Sequence, residues 1–130
     1  MIGWGMEGVT MRDWLVAEGR RFWNTVIWSW AGWRASWASE KTLRQWSLAN
    51  LLSAGLAFAL PLTPGERALI LALGLMVLVA ELLNTAIEET VDYISTARDP
   101  RAMRAKDAGS AAVAVAALAA GLAWLVILIG

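Results

Sequence analysis

Three acidic side chains and one amide interrupt the most apolar half of this 130-residue chain. Glu81, Asn84, Glu88 and Asp92 follow the apolar run 68–80, and on a helix of about 3.6 residues per turn they fall within an arc of roughly 80°. A charged side chain at bilayer depth costs about 2.5 kcal/mol or more, so such residues usually mark function. A polar seam between packed helices is the alternative, which a lone asparagine would suit better. Three acids on the same stripe favour a site.

The spacing of the acids separates two kinds of chemistry. Glu88 and Asp92 lie near the water boundary, beside a segment that contains Arg98 and Lys106. Carboxylates that hold a divalent cation next to basic side chains suit a nucleoside triphosphate. Glu81 lies about 10 Å deeper along the helix, where burial makes an ionised carboxylate a stronger base. This arrangement suggests phosphoryl transfer to a lipid hydroxyl, a reaction that depends on positioning and charge stabilisation.

Residue types that are missing narrow the chemistry further. The chain has no Cys and no His, which excludes disulfides, zinc fingers, thiol nucleophiles and imidazole bases. A metal must therefore be bound by oxygen, which favours Mg²⁺. No P-loop, kinase glycine-rich loop or kinase catalytic-loop motif is present, so a nucleotide would bind on a non-standard scaffold.

The elements that must position these residues are helices in a membrane. Of the residues, 58% are hydrophobic. The apolar run 111–130 is about long enough to cross a bilayer as a helix, and two shorter apolar runs, 46–62 and 68–80, precede it. The second run continues helically to about Ser95, so its last turns should project into water. We predict an all-α protein with transmembrane helices at about 40–62, 66–95 and 107–130, in a single membrane domain covering 1–130. Small residues such as Gly109 and Gly121 in the third span predict close helix packing of the kind found between subunits.

The N-terminal part predicts a helix that lies on the membrane surface. Eight of the nine Trp precede residue 47, and Trp prefers the membrane interface. Over about 11–36 the pattern is amphipathic, with Arg and Asn on the polar side. A soluble helix packed on another domain is the alternative interpretation. The apolar positions at helical spacing are Trp23, Ile27, Trp30, Trp33 and Trp37.

Charge distribution predicts the orientation in the membrane. The net charge is zero, so no bulk attraction to nucleic acid is expected. Six of the eleven Lys and Arg precede the first apolar run, four lie between the second and third runs, and only Arg67 lies between the first and second. By the positive-inside rule the N-terminus and the 95–107 segment are cytoplasmic, and the C-terminus is periplasmic. No cleavable signal peptide is apparent.

Ser39 is the expected N-cap of the first span, which would place Glu40 in its first turn. From position alone, Glu40 would compensate the helix dipole.

Two motifs resemble the bacterial integral-membrane diacylglycerol kinases. They are Glu81-Leu-Leu-Asn84-Thr-Ala-Ile-Glu88-Glu-Thr-Val-Asp92 and Arg104-Ala-Lys106-Asp107-Ala-Gly109-Ser110-Ala-Ala-Val113. The resemblance covers about residues 20–130 and extends upstream through Ser29-Trp30, Gly32, Arg34, Trp37, Glu40 and Arg44-Gln45. Either apolar span alone would be weak evidence, whereas the two motifs together are specific.

This resemblance implies a homotrimer that uses Mg-ATP to phosphorylate diacylglycerol to phosphatidic acid at the cytoplasmic face of the inner membrane. Glu81 would be the general base with Asn84 beside it, and Glu40 and Glu88 would hold the Mg²⁺, which replaces the dipole interpretation of Glu40. The implied ATP contacts are Arg21, Trp28, Glu40, Glu88, Ala97, Arg98, Asp99, Lys106 and Asp107. The implied lipid contacts are Arg21, Ser29, Trp30, Arg34, Trp37, Glu81 and Ser110.

The chain departs from the resembled family at two positions. Trp28 stands where the best-known members carry Tyr, so a hydroxyl contact is lost while an aromatic platform remains. Trp46 stands where they carry an acid.

Three other functions stay open: an undecaprenol kinase with the same motifs, a small proton-coupled transporter, and a structural subunit. A transporter needs only one buried acid and usually four spans, and a structural subunit leaves the acid stack unexplained.

Overall fold

The computed structural model describes residues 8–130, which form four α-helices. These are α1 (Met11–Ser39), α2 (Lys41–Ala59), α3 (Pro64–Ile94) and α4 (Pro100–Ile129). The predicted all-α class is confirmed for the part of the chain described. The chain divides into two units between Ala35 and Ser36, so that most of α1 forms the first unit and α2, α3 and α4 lie in the second.

Local capping chemistry fixes where α3 and α4 begin. At α3 the Thr63 hydroxyl accepts from the Glu66 N–H at 3.2 Å, and the Glu66 carboxylate accepts from the Thr63 N–H at 2.8 Å. This reciprocal pair satisfies two of the N–H groups that a helix start leaves unpaired. At α4, Asp99 is the N-cap and Pro100 occupies the first turn, a position that suits proline because it needs no N–H there.

Two boundary expectations were wrong. The basic segment predicted as a loop is helical from Pro100 onward, so α4 begins well before residue 107. The Asp99 cap and the preset φ of Pro100 start the helix that early. Ser39 is the last residue of α1 rather than an N-cap, and Glu40 is the N-cap of α2.

α2 and α3 form an antiparallel hairpin with a well-defined register. The Asn50 side chain lies directly against the backbone of Gly74, where a Cβ atom would overlap its amide oxygen. Nearer the turn, Arg67 Nε of α3 donates to the Ala57 carbonyl of α2 at 2.8 Å. These two contacts agree on one register, which places Leu43 level with Glu81 and Glu40 level with Asn84.

α3 also packs along α4, and a single tryptophan connects α4 with α2. Gly109 of α4 lies against Asn84 and Ile87 of α3. Nearer the C-terminal end of α4, Trp124 Nε1 donates to Ser53 Oγ at 2.8 Å. The three helices of this unit are thus joined by two helix–helix faces and one long-range side-chain hydrogen bond.

α3 and α4 are long and apolar enough to cross a membrane. α2 is less apolar because it carries Arg44, Gln45 and Asn50, and it does not reach the same standard. Only Gly109 and Val113 of α4 are buried, whereas most of its other leucines and valines are exposed. A continuous apolar helix surface of this kind is unfavourable in water, so the two helices indicate a membrane protein.

Candidate active site

Glu81 lies inside the helical unit and not on its outer surface. Its side chain is 4% exposed, and it shares the buried stripe of α3 with Val77 and Thr85. The Thr85 hydroxyl donates to the Glu81 backbone carbonyl at 3.1 Å, so its donated hydrogen bond stays within α3. Because an ionisable group is costly to bury without a partner, this position agrees with the functional interpretation of the stripe.

Asn84 is held between Glu88 and Gly109. Its Nδ2 donates to Glu88 Oε1 at 3.1 Å, one turn along α3. Its Oδ1 is buried, faces the backbone of Gly109 and has no hydrogen-bond partner in residues 8–130. A buried acceptor without a hydrogen bond lowers the free energy of unfolding by about 1–3 kcal/mol. The position of this amide therefore costs stability, which agrees with a functional role. The absence of a side chain at Gly109 makes this close approach possible.

The water-facing end of the stripe carries an ion pair between two helices. Lys106 Nζ of α4 donates to Asp92 Oδ1 of α3 at 2.5 Å, with side chains 36% and 50% exposed. The pair closes the turn that connects the two helices, beside a cavity of about 130 Å³. Four of the residues expected to contact nucleotide line that cavity together with Asp92, namely Ala97, Arg98, Asp99 and Lys106.

Asp99 combines a capping role with its place in this cavity. The Arg101 N–H donates to its carboxylate at 2.7 Å, and the Arg101 guanidinium lies 3.5 Å away. These interactions, the backbone hydrogen bond first, lower the pKa of Asp99 below its ordinary value. The residue after Lys106, Asp107, and the nearby Ser110 are both exposed on α4.

Glu40 occupies the junction between α1 and α2, and its carboxylate makes no capping hydrogen bond there. Its backbone N–H donates to the Ser36 carbonyl at 2.8 Å. Arg44 braces the same junction by donating to the Trp37 carbonyl at 2.5 Å. The α2–α3 register brings Glu40 level with Asn84, one helical turn from Glu88.

The acids fit a metal that needs few protein ligands. Within residues 8–130 no group of three acidic side chains gathers closely enough to enclose an ion. Glu88 has one carboxylate oxygen that accepts from Asn84, which leaves its other oxygen outside that bond. Mg²⁺ commonly takes one or two carboxylates and completes its shell with phosphate oxygens and water, so Glu40 and Glu88 fit Mg-nucleotide better than a resident metal.

The remaining predicted residues lie on α1. Arg21 Nη1 pairs with Glu18 at 2.9 Å, and Ser29 and Trp30 line a shallow cleft on the helix surface. All of the predicted α1 contacts are exposed, including Trp37, whose side chain is 41% exposed. Those in the first unit are Arg21, Trp28, Ser29, Trp30 and Arg34.

An apolar groove between α3 and α4 was not predicted from the sequence. Its volume is about 350 Å³, and Asn84 is the one amide among otherwise apolar side chains. Glu81 is not among the lining residues. The small residues of the third span were the available signal, but only the pairing of α3 with α4 shows that Gly109, Ala112 and Ala116 leave a groove. The Asp92–Lys106 pair was missed for the same reason.

Comparisons with known proteins identify the family of the chain. The family model of prokaryotic diacylglycerol kinase matches residues 27–128, which include Glu40, Glu81, Glu88 and Lys106 but not Arg21. A diacylglycerol kinase of Pseudomonas aeruginosa is 43% identical over 111 residues, which is 85% of this chain and 90% of that protein. The one from Escherichia coli K12 is 39% identical over 100 residues, which is 77% and 82% of the two chains. The one from Haemophilus influenzae is 35% identical over 101 residues, which is 78% and 86%. The chain therefore belongs to the prokaryotic diacylglycerol kinase family.

Proposed function

We propose that this protein is an ATP-dependent lipid kinase that converts diacylglycerol to phosphatidic acid at the cytoplasmic face of the inner membrane. The observation that carries the proposal is the burial of Glu81 on the same α3 stripe as the Asn84–Glu88 pair, with Lys106 at the water-facing end. A base at lipid depth and phosphate-binding groups at the surface suit a lipid acceptor and a soluble donor. The names of the relatives favour diacylglycerol over undecaprenol as the acceptor.

In this proposal Glu81 accepts the proton of the diacylglycerol hydroxyl. The hydroxyl oxygen then forms a bond to the γ-phosphorus of ATP, the bond to the bridging oxygen breaks, and ADP leaves. Asn84 is held by its hydrogen bond to Glu88 and by its contact with Gly109. From there its amide would position the reacting groups next to Glu81. Most of the rate enhancement in such a transfer comes from alignment and from stabilising charge on the phosphoryl oxygens.

The phosphate side of the site is formed by acids and bases in separate roles. Glu40 and Glu88 would hold Mg²⁺, which supplies charge neutralisation to the phosphates when bound. Lys106 would contact the phosphates directly, and Asp107 and the 97–99 turn would contact the rest of the nucleotide. The contacts proposed on α1 are Arg21 and Trp28 for nucleotide, and Arg21, Ser29, Trp30 and Arg34 for lipid. Trp37 and Ser110 complete the lipid contacts.

The proposed assembly is a homotrimer with α1 on the cytoplasmic surface and α2, α3 and α4 crossing the membrane. The N-terminus would be cytoplasmic and the C-terminus periplasmic. The exposed apolar surface of α4 supports an environment of lipid and neighbouring subunits. Native mass measurement in a mild detergent should give three copies per particle.

One assay tests the proposal and its division of roles. The purified protein receives Mg-ATP with diacylglycerol or undecaprenol in mixed micelles, and lipid phosphate is measured. We expect turnover of diacylglycerol, a fall in kcat of about 10²- to 10⁴-fold in Glu81→Gln, and nearly unchanged ATP binding in that variant. Glu88→Gln should instead raise KM for Mg-ATP and the Mg²⁺ requirement.

Glu89→Gln provides the matched control, since it removes an exposed acid of α3 next to Glu88. Its kcat and both KM values should stay within twofold of those of the unaltered protein. Identical behaviour of Glu81→Gln and Glu88→Gln would contradict the separate roles. Full activity in both would place the chemistry elsewhere, and phosphorylation of undecaprenol alone would exclude diacylglycerol as the acceptor.

A further inference from the structure

Asp92 is the member of the α3 stripe that the proposed reaction leaves without a role. We infer that Asp92 is a positioning residue that holds the Lys106 ammonium group ready for the nucleotide phosphates, an inference that rests on the proposed function. Its carboxylate accepts from Lys106 Nζ at 2.5 Å across the α3–α4 turn. No other carboxylate in residues 8–130 pairs with this lysine.

The contact orders a side chain that would otherwise be free to move. A lysine side chain has four rotatable bonds, and fixing it when a ligand binds costs conformational entropy. Asp92 sits at the cytoplasmic end of α3, and Lys106 lies within the first two turns of α4. The ion pair therefore fixes the ammonium group between two helices before nucleotide arrives, beside the cavity that Arg98 and Asp99 also line.

The pair leaves hydrogen-bonding capacity for a ligand. An ammonium group has three donors, and Asp92 uses one of them, so two remain for phosphate oxygens. Lys106 stays 36% exposed while paired, so its free donors are accessible from water. Asp92 can thus stay in contact during binding, and it need not be displaced by the incoming phosphates.

The opposite role would be a block in which Asp92 occupies the lysine and repels phosphate. The two roles predict opposite changes in KM for ATP when the charge of Asp92 is removed. Removing the charge of a positioning residue raises KM for ATP, because Lys106 must then be ordered by the nucleotide itself. Removing the charge of a blocking residue lowers that KM.

The test measures KM for Mg-ATP and for diacylglycerol in Asp92→Asn. We expect KM for Mg-ATP to rise about fivefold, as ordering one long side chain would require, with KM for diacylglycerol unchanged. Glu89→Gln is the matched control because Glu89 lies one turn earlier on α3, is exposed, and forms no ion pair in the described part of the chain. It removes the same charge and should leave both constants within twofold.

Two further variants show whether Asp92 acts through Lys106. Asp92→Glu keeps the carboxylate and should restore most of the affinity for ATP. In a Lys106→Gln background, direct binding of a fluorescent ATP analogue should be weak, and adding Asp92→Asn should weaken it by no more than a further factor of 1.5.

Different failures point to different conclusions. An unchanged or lower KM for Mg-ATP in Asp92→Asn would overturn the inference while leaving the kinase proposal in place. An equal rise in both KM values, or an additive effect in the Lys106→Gln background, would show a general structural role and would also overturn it. Absence of lipid phosphorylation by the unaltered protein would overturn the proposed function, and the inference with it.

Discussion

Two asparagines in otherwise apolar helices each lie against a glycine of the next helix. Asn50 of α2 meets Gly74 of α3, and Asn84 of α3 meets Gly109 of α4. In both contacts the missing side chain lets a polar amide approach a helix backbone closely, as small residues do in membrane helix packing. The sequence singled out Asn84 as functional, but nothing in it identified Gly109 as the surface that holds the amide.

Gly109→Ala should disturb the site through this contact. The added Cβ would overlap Asn84 Oδ1, so the amide or the whole of α4 must shift. We expect a loss of about 1–3 kcal/mol in the free energy of unfolding in mixed micelles, together with a lower kcat. Gly55→Ala of α2 is the matched control, since it makes the same change within a helix and its Cβ meets nothing within 4 Å.

The control should be neutral or slightly more stable, because alanine has the higher helix propensity by about 1 kcal/mol. Equal stability and equal kcat in the two glycine variants would show that the Asn84–Gly109 contact has no energetic importance.

Asp99 should make the start of α4 sensitive to acid. Hydrogen bonds from Arg101 lower its pKa in the folded protein, so folding favours the ionised form. The resulting stabilisation is present above the ordinary value of 3.8 and is lost as the pH falls through the lowered folded pKa. Amide hydrogen exchange in residues 101–103, corrected for intrinsic rates, should therefore accelerate below about pH 4. Asp99→Asn, which still caps but does not titrate, should show no such pH dependence.

At the scale of elements, the helices were predictable and some of their limits were not. The apolar runs 46–62 and 68–80 located α2 and α3. The start of α4 was missed because the charged 95–107 segment was assigned outside the third helix, whereas a capping acid followed by proline begins a helix. Contacts between distant segments carry no local signal, as the Trp124–Ser53 hydrogen bond across 71 residues illustrates.

That hydrogen bond should contribute measurably to the packing of the three helices, because α2 and α4 share no helix–helix face. Trp124→Phe keeps an aromatic ring but removes the indole N–H. We expect a loss of about 0.5–1.5 kcal/mol in unfolding free energy, the range for a typical intramolecular hydrogen bond.

Ser53→Ala completes a double-mutant cycle for this contact. If the hydrogen bond is responsible, the double variant should be scarcely less stable than Trp124→Phe alone. Simple additivity of the two losses would show that the 2.8 Å contact does not stabilise the protein.

For the whole molecule, predictability depended on whether residues share one helix. Glu81, Asn84 and Glu88 lie on one stripe of α3, so helical periodicity alone placed them together. The Asp92–Lys106 pair, the groove beside Asn84 and the position of Glu40 require the register between helices, which depends on glycine notches and caps. The match to the family model spans α2, α3 and α4 as one segment, which shows that these helices belong to one family unit.

Arg67 should count for less than the other basic residues when the charge on the two sides of the membrane is compared. It is the single Lys or Arg between residues 45 and 97. Its guanidinium donates to the carbonyls of Ala57 and Leu62 and rests 5.2 Å from the Phe58 ring centroid. A cation that already compensates the negative end of a helix has less attraction left for phospholipid headgroups. In the orientation proposed above, Arg67 therefore opposes the positive-inside bias less than a count of basic residues implies, and Arg67→Gln should weaken the hairpin without inverting its topology.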